Sequence, residues 1–210
     1  MAKAIEIPVS DARLKGDLTV PEKARGLVIF SHGSGSSRKS PRNRYVAEQL
    51  QDSGIATLLL DLLTVREDEV YETRFDIDFL TRRLREVAQW AMAYPATKGL
   101  NVGFFGASTG AASALRVAGE LGEVVRAVVS RGGRTDLAGS RALSRVTAPT
   151  LFIVGGLDFG VIELNQAAFE ELVCIKQLKI VRGASHLFEE AGKLEEVALL
   201  AAMWFEKYLC

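Results

Sequence analysis

The stretch Asn101–Ala112, NVGFFGASTGAA, decides the fold because it joins a predicted buried strand to a predicted helix through one tight turn. Its first half is apolar and aromatic, and the Ala-rich segment from Ser108 onward has helical spacing. Between them, Gly106–Gly110 reads G-x-S-x-G. A strand before this pattern and a helix after it are typical of a nucleophile elbow, in which a strained Ser projects its hydroxyl from the turn. A Gly-rich turn with an idle Ser is the alternative, and the flanking elements favour the elbow.

The composition is that of an ordinary globular protein. The chain has 210 residues, 48% of them hydrophobic and 25% charged, which suits one α/β domain over residues 1–210. Its 26 basic and 26 acidic residues cancel, so bulk charge indicates neither a nucleic acid nor a membrane as partner. The N-terminal segment lacks the apolar core of a signal peptide, and Cys174 and Cys210 do not suggest a disulfide framework. We therefore expect a cytoplasmic protein.

Short apolar runs alternate with segments of helical spacing along the whole chain. The runs that predict strands cover residues 5–8, 13–20, 27–31, 55–61, 101–105, 124–130, 150–154 and 177–181. The segments that predict helices cover residues 43–52, 77–94, 108–118, 140–146, 162–174 and 194–208, and residues 62–73 form a charged loop. This alternation predicts the α/β class, with a doubly wound, mostly parallel sheet, helices on both faces and an antiparallel pair at one edge. No insertion between Ser130 and Thr150 is long enough for a large lid.

The candidate catalytic residues follow the predicted strands, at the strand ends where ligands bind in such sheets. A Ser nucleophile at Ser108 needs a base, and the chain has only two His. His186 lies in a small-residue loop after the last predicted strand, and Asp158 follows a buried strand through two glycines. The order Ser108, Asp158, His186 matches the catalytic triad of doubly wound hydrolase sheets. A surface His and a helix-capping Asp are the alternatives.

The second histidine, His32, precedes a glycine turn. It is expected to hold that turn, or to be the base itself if His186 points away. The nearby segment Gly33–Ser40 approaches a phosphate-binding loop, but Arg38 replaces the glycine that must precede Lys-Ser. We therefore expect no nucleotide cofactor. Two isolated His and two isolated Cys offer no ligand spacing for a metal.

Together these motifs resemble the α/β-hydrolase superfamily, and more narrowly its dienelactone-hydrolase-like branch. The resemblance lies in HGSGSS at 32–37, GASTG at 106–110, GGLD at 155–158 and GASH at 183–186. It implies an eight-stranded sheet, the triad, and an oxyanion hole built from the backbone N–H groups of Ser34 and Thr109. Dienelactone hydrolases proper carry a Cys in the elbow, whereas this chain has Ser108. The resemblance therefore implies ester hydrolysis and leaves the substrate open.

Arginines and phenylalanines near the motifs are candidates for a substrate pocket. Arg131 or Arg74 could face the pocket and favour an acyl substrate that bears a carboxylate. The alternatives are a solvated basic face, or a pairing of Arg131 with a carboxylate such as Asp136. Phe159 could form an apolar pocket wall, as could Phe75 and Phe188, and core packing explains such residues equally well.

The sequence thus predicts a serine hydrolase of the carboxylesterase type that cleaves a small ester, lactone or thioester through an acyl-enzyme on Ser108. Acyl transfer and perhydrolysis use the same machinery and stay open. A non-catalytic binding or scaffolding protein of the same fold is the alternative from another class. The apolar last helix, with Leu199, Leu200, Met203 and Trp204, could pack on the core or form a homodimer.

Overall fold

The computed structural model describes residues 2–209, so the expectation about Cys210 lies outside the described residues. Eight strands form one sheet in the order β1-β2-β4-β3-β5-β6-β7-β8. The strands are β1 Lys3–Val9, β2 Ala12–Thr19, β3 Gly26–Ser31, β4 Ala56–Leu60, β5 Asn101–Ala107, β6 Val125–Arg131, β7 Thr150–Gly155 and β8 Lys176–Val181. The first strand pairs antiparallel with β2, which pairs antiparallel with β4, and the other neighbours are parallel. The predicted doubly wound sheet with an antiparallel edge is confirmed.

Within residues 2–209, six α-helices lie between the strands and a seventh follows the last strand. They are α1 Pro41–Asp52, α2 Val65–Asp68, α3 Ile77–Ala93, α4 Thr109–Leu121, α5 Ser140–Leu143, α6 Phe159–Glu171 and α7 Lys193–Leu209. Local signals explain two of the starts. The hydroxyl of Ser40 accepts the N–H of Asn43 ahead of α1, which carries Pro41 at its first position, and Asp76 accepts the N–H of Phe79 at the start of α3.

One loop prediction and one helix prediction need correction. Residues 62–73 are not a plain charged loop, because Thr64 and Glu67 form a capping box that starts α2, and a 3-10 turn follows at Glu72–Phe75. The helix predicted over residues 162–174 begins at Phe159 and ends at Glu171. Its end leaves Cys174 in the loop before β8, not in a helix.

The helices bury the sheet on both faces. Helices α1 and α7 cover one face, where Phe30, Phe105 and Phe205 lie in the core. Helices α3 and α4 cover the other face, where Phe104 and Phe152 are fully buried. Every residue of β3 and of β7 is buried, as expected for strands covered on both sides.

The last helix divides its apolar residues between the core and the surface. Trp204 is buried and donates its indole N–H to the carbonyl of Pro149 at 3.2 Å. Leu199 and Met203 are exposed, at 62% and 59%. A homodimer through α7 stays a prediction. No helix among residues 2–209 combines the length and the apolar character needed to cross a bilayer.

The connection between β6 and β7 contains only the 3-10 turn Thr135–Ala138 and the four-residue α5. It carries no large lid, as the sequence predicts. The carboxyl ends of β5, β6, β7 and β8 therefore open on one edge with short loops around them, and this edge holds the candidate site.

Candidate active site

The turn between β5 and α4 holds Ser108 in a strained conformation. Its φ of 51° and ψ of −122° lie in a region that residues with a side chain rarely adopt. Its backbone is fixed by neighbours: the N–H donates to the carbonyl of Arg131 at 3.1 Å, and the carbonyl accepts the N–H of Arg134 at 3.0 Å. The surrounding hydrogen bonds thus hold the strained backbone, which is the arrangement expected of a nucleophile elbow.

The two glycines of the elbow occupy places where no side chain fits. A Cβ on Gly106 would lie 2.5 Å from the Cα of Ala111 in α4. A Cβ on Gly110 would lie 2.2 Å from the carbonyl oxygen of Ser31 at the end of β3. The pattern G-x-S-x-G therefore has a steric cause here, because β5, α4 and the end of β3 approach one another more closely than any alanine would allow.

Two of the candidate triad residues, His186 and Asp158, lie in direct contact. The Nδ1 atom of His186 lies 2.6 Å from Oδ2 of Asp158. Asp158 immediately precedes α6, but its side chain makes no capping hydrogen bond there. Its carboxylate is directed at the imidazole, so the capping alternative does not hold.

Backbone hydrogen bonds tie together the loops that carry this pair. The N–H of Leu157 donates to the carbonyl of Ala184 at 2.9 Å, and that of Gly156 donates to Val181 at 2.8 Å. The N–H of Ser185 donates to both carboxylate oxygens of Glu190, at 3.1 Å each, and these bonds lower the pKa of Glu190. Sequence reasoning missed Glu190, because nothing local marks a carboxylate that folds back on the loop before it.

The imidazole of His186 lies against the strand end that fixes the elbow. A Cβ on Gly132 would be 3.3 Å from Cε1 of His186, so the ring packs on Gly132 directly. Gly132 follows Arg131, whose carbonyl accepts the N–H of Ser108. The fold thus brings the three predicted triad residues to one edge of the sheet, with Asp158 and His186 in direct contact.

The predicted oxyanion turn lies on the elbow, but with a hydrogen bond that the sequence does not foresee. A Cβ on Gly33 would be 3.0 Å from the Cβ of Ser108. The N–H of Ser34 donates to the hydroxyl of Thr109 at 2.8 Å, and Thr109 is only 3% exposed. The Ser34 amide is therefore engaged by a side chain in this structure, whereas the prediction treated it as free for an oxyanion.

His32 lies beneath the same turn and uses both ring nitrogens. The N–H of Leu62 donates to Nε2 of His32 at 3.1 Å, so Nε2 is an acceptor and the ring is neutral. Nδ1 lies 2.9 Å from the carbonyl of Gly33 and carries the proton. Burial lowers the pKa of His32 below its ordinary value, which keeps the neutral form. The ring joins the turn after β3 to the loop after β4.

Arg131 occupies an unusual position at the end of β6. It is 8% exposed and its guanidinium lies beside α1, with Nη2 at 3.5 Å from Oδ1 of Asn43. The alternative that Arg131 pairs with a carboxylate such as Asp136 does not hold, because Arg134 bonds to Asp136 at 2.8 and 2.9 Å. Because side chains alternate between the two faces of a strand, the side chain of Arg131 points to the face of the sheet that α1 covers.

The remaining pocket candidates are spread around the site. Arg74 donates from Nε to the carbonyl of Asp68 at 2.7 Å and lines a cleft of about 230 Å³ beside His32. Phe159 is 70% exposed, next to Asp158, whereas Phe188 is buried. Phe75 is at the surface, so of the three phenylalanines only Phe188 belongs to the core.

The described part of the chain offers no evident metal site. Among residues 2–209, no three side chains of His, Cys, Asp or Glu gather where they could hold an ion. This edge of the sheet carries a strained Ser, an imidazole fixed by a carboxylate, and backbone N–H groups at the start of α4.

Comparison with known proteins gives the family. No family model matches the chain. The crystal structure of a dienelactone hydrolase from Anabaena variabilis is 53% identical, covers 100% of this chain and 99% of its own, and superimposes with a TM-score of 0.97. The chain belongs to the dienelactone hydrolase family.

More distant structures share the fold of this dienelactone hydrolase family member. Est1E from Butyrivibrio proteoclasticus is 16% identical, with a TM-score of 0.83 over 97% of this chain and 98% of its own. An esterase from Pyrococcus furiosus is 19% identical, with a TM-score of 0.83 over 100% of this chain and 92% of its own. The predicted α/β-hydrolase fold is confirmed.

A curated relative from Mycobacterium tuberculosis carries a different description. It is a "putative phosphoribosyl transferase", present in two strains, and is 54% identical over 206 residues, which make up 98% of this chain and 46% of that protein. The present dienelactone hydrolase family chain thus spans about half the length of the curated relatives that it matches.

Proposed function

We propose that this chain is a serine hydrolase that cleaves a small carboxylic ester, lactone or thioester through an acyl-enzyme on Ser108. The observation that carries the proposal is the 2.6 Å contact between His186 Nδ1 and Asp158 Oδ2, on loops that meet beside a strained Ser. A carboxylate at Nδ1 fixes the tautomer that leaves Nε2 free to accept a proton. That is the arrangement a hydroxyl nucleophile needs.

The reaction would proceed in two halves. In the first, Ser108 Oγ attacks the carbonyl carbon while His186 Nε2 accepts its proton, and Asp158 stabilises the resulting imidazolium. The leaving group then departs with a proton from His186. In the second half, water attacks the acyl-enzyme with His186 again as the base, and the carboxylic acid is released.

The developing oxyanion would be stabilised at the start of α4. The N–H of Thr109 follows the nucleophile directly and lies at the positive end of a 13-residue helix. We propose the Ser34 amide as the second donor. Because that N–H now donates to the Thr109 hydroxyl at 2.8 Å, it would have to share its proton between the hydroxyl and the oxyanion.

His32 has a different proposed role from His186. Its Nε2 accepts the N–H of Leu62 and its Nδ1 donates to Gly33, so neither nitrogen is available to Ser108. We propose that His32 positions the oxyanion turn.

The proposal that residues 1–210 act as one hydrolase domain accords with a single eight-stranded sheet.

Two other functions remain as alternatives. Acyl transfer or perhydrolysis would differ only in the molecule that attacks the acyl-enzyme. A binding or scaffolding protein would keep the fold without turnover. Phosphoribosyl transfer belongs by name to proteins about twice as long, and it needs no acyl-enzyme, so the Asp158–His186 pair favours hydrolysis for the part that this chain matches.

Labelling with a fluorophosphonate tests the proposal, because this probe reacts only with an activated Ser. We expect labelling of the wild type, none of folded Ser108→Ala or His186→Ala, and full labelling of Ser140→Ala, which removes an exposed Ser elsewhere. Absence of labelling in the folded wild type, with no turnover across a panel of esters, would favour the binding protein. Labelling that survives His186→Ala but not His32→Ala would transfer the role of base to His32.

A further inference from the structure

The guanidinium of Arg131 is a buried charge without a counterion. Among residues 2–209 no carboxylate pairs with it, and its Nε and Nη1 atoms, both buried, have no hydrogen-bond partner. Nη2 has only the amide oxygen of Asn43, at the 3.5 Å limit of a hydrogen bond. Burying an unpaired charge is costly, and such a group is normally compensated by an opposite charge.

The surroundings of Arg131 are positive. Burial, with a smaller contribution from the nearby charge of Arg42, lowers the pKa of Arg131 to about 10. Arg42 itself is only half satisfied: Nη1 contacts Glu189 at 2.7 Å, at the surface, while its buried Nε has no partner within the described residues. Both Arg42 and Asn43 belong to the first turn of α1, a 12-residue helix whose N-terminus adds partial positive charge.

Two guanidiniums and a helix N-terminus together suit a phosphate better than a carboxylate. A carboxylate has two oxygens in one plane, and a single guanidinium can bind both. A phosphate presents three oxygens in different directions and carries up to two negative charges, so it can accept from both arginines at once. The Phe188 ring, 6.0 Å from the Arg131 guanidinium, helps to fix that side chain.

We propose that Arg131, Arg42 and the first turn of α1 form a binding site for phosphate, placed to hold a phosphate group of the substrate. The backbone of Arg131 already holds the nucleophile, since its carbonyl accepts the N–H of Ser108 at 3.1 Å. Arg131 would therefore contact the elbow through its backbone and the phosphate through its side chain. The assignment to a substrate rests on the proposed hydrolase function, whereas phosphate binding does not.

Binding of inorganic phosphate tests the site without any turnover. Calorimetric titration and ³¹P NMR would be run at constant ionic strength on wild type, Ser108→Ala, Arg131→Gln, Arg42→Gln and Arg141→Gln. We expect saturable binding by the wild type, by Ser108→Ala and by Arg141→Gln, which removes an exposed Arg outside the site. We expect binding about tenfold weaker or lost in the two site variants. If buried Arg131→Gln fails to fold, the part-exposed Arg42→Gln decides. No saturable binding, or binding unchanged in the site variants, overturns the proposal.

Three 4-nitrophenyl esters of similar length, the phosphoglycolyl, butyryl and succinyl esters, then test whether the bound phosphate is part of the substrate. We expect kcat/KM for the phosphoglycolyl ester to exceed that of the butyryl ester about tenfold or more, with inorganic phosphate as a competitor and the advantage lost in Arg42→Gln. A preference for the succinyl ester instead would make this a carboxylate site and overturn the proposal. Phosphate binding without any advantage for the phosphoglycolyl ester would overturn the substrate role. If Ser108 proves inactive, the titration still judges the site, so the two proposals fail separately.

Discussion

The hydroxyl of Thr109 accepts the backbone N–H of Ser34 at 2.8 Å, which ties the first residue of α4 to the turn after β3. The contact joins residues 75 positions apart, and it is the direct link between the two halves of the proposed oxyanion hole. Thr109 is buried, so water does not readily replace its hydroxyl. The Thr109 hydroxyl therefore holds the turn from the side of α4, as His32 holds it from the loop after β4.

Replacing this oxygen should impair catalysis more than stability. We expect Thr109→Val, which keeps the shape but removes the acceptor, to lower kcat by roughly tenfold to a hundredfold, because a misplaced oxyanion donor loses much of its effect. Thr109→Ser keeps the acceptor and should retain most of the activity. Steady-state kinetics on a 4-nitrophenyl ester, with thermal unfolding as the check on folding, measures both. Equal activity in Thr109→Val and wild type would contradict the positioning role.

The contact between Asp158 and His186 gives a second prediction. We expect Asp158→Asn to lower kcat by about 10⁴-fold, because an amide at Nδ1 no longer selects the tautomer with a free Nε2. The protein should stay folded, since the side chain of Asp158 makes no capping bond to α6. The measurement is single-turnover acylation with a 4-nitrophenyl ester. Asp136→Asn, which affects only the surface pair with Arg134, is the control and should acylate at the wild-type rate.

The fold could be predicted, and the candidate triad residues could be located, because their signals are local. Buried strands such as β3 and β7 are continuous apolar runs, and the elbow is a five-residue pattern that steric crowding imposes at Gly106 and Gly110. The order Ser108, Asp158, His186 follows from the chain alone once the sheet is parallel. The start of α2 also had a local signal, the T-x-x-E of Thr64–Glu67, which a search for capping boxes would have found.

Contacts between distant residues could not be predicted. Nothing in the sequence indicates that the Thr109 hydroxyl and the Ser34 amide form a hydrogen bond. The charge of Arg131 is compatible with a pairing with a carboxylate such as Asp136. Alternation along β6 instead directs this side chain to the sheet face that α1 covers, where it contacts the amide oxygen of Asn43 and no carboxylate among residues 2–209. The sequence predicts a start of α6 at residue 162, later than the observed Phe159, because Gly160 is a poor helix former and Asp158 uses its carboxylate elsewhere.

The buried His32 predicts a loss of stability on mild acidification. Because burial lowers the pKa of His32 from 6.5, the unfolded chain binds a proton below that pH while the folded chain does not. The contribution of neutral His32 to the free energy of unfolding should therefore be fully present above pH 6.5. Below that pH the free energy of unfolding should fall, by up to about 1.4 kcal/mol per pH unit from this one site. Urea denaturation between pH 7.5 and about 5 measures the slope. In His32→Gln, which can keep both hydrogen bonds, the slope should be shallower, and an unchanged slope would assign the effect to other groups.

Gly110 and Gly160 provide a matched pair of helical glycines with opposite expected outcomes. A Cβ on Gly110 would lie 2.2 Å from the backbone oxygen of Ser31, and neither β3 nor α4 can retreat without opening the elbow. We expect Gly110→Ala to lower the free energy of unfolding by more than about 3 kcal/mol and to abolish labelling of Ser108. A Cβ on Gly160 meets nothing within 4 Å, so Gly160→Ala should raise stability by about 0.5 kcal/mol and leave labelling intact. Chemical denaturation and fluorophosphonate labelling test both, and a stable, reactive Gly110→Ala protein would show that the elbow tolerates a wider approach than its packing implies.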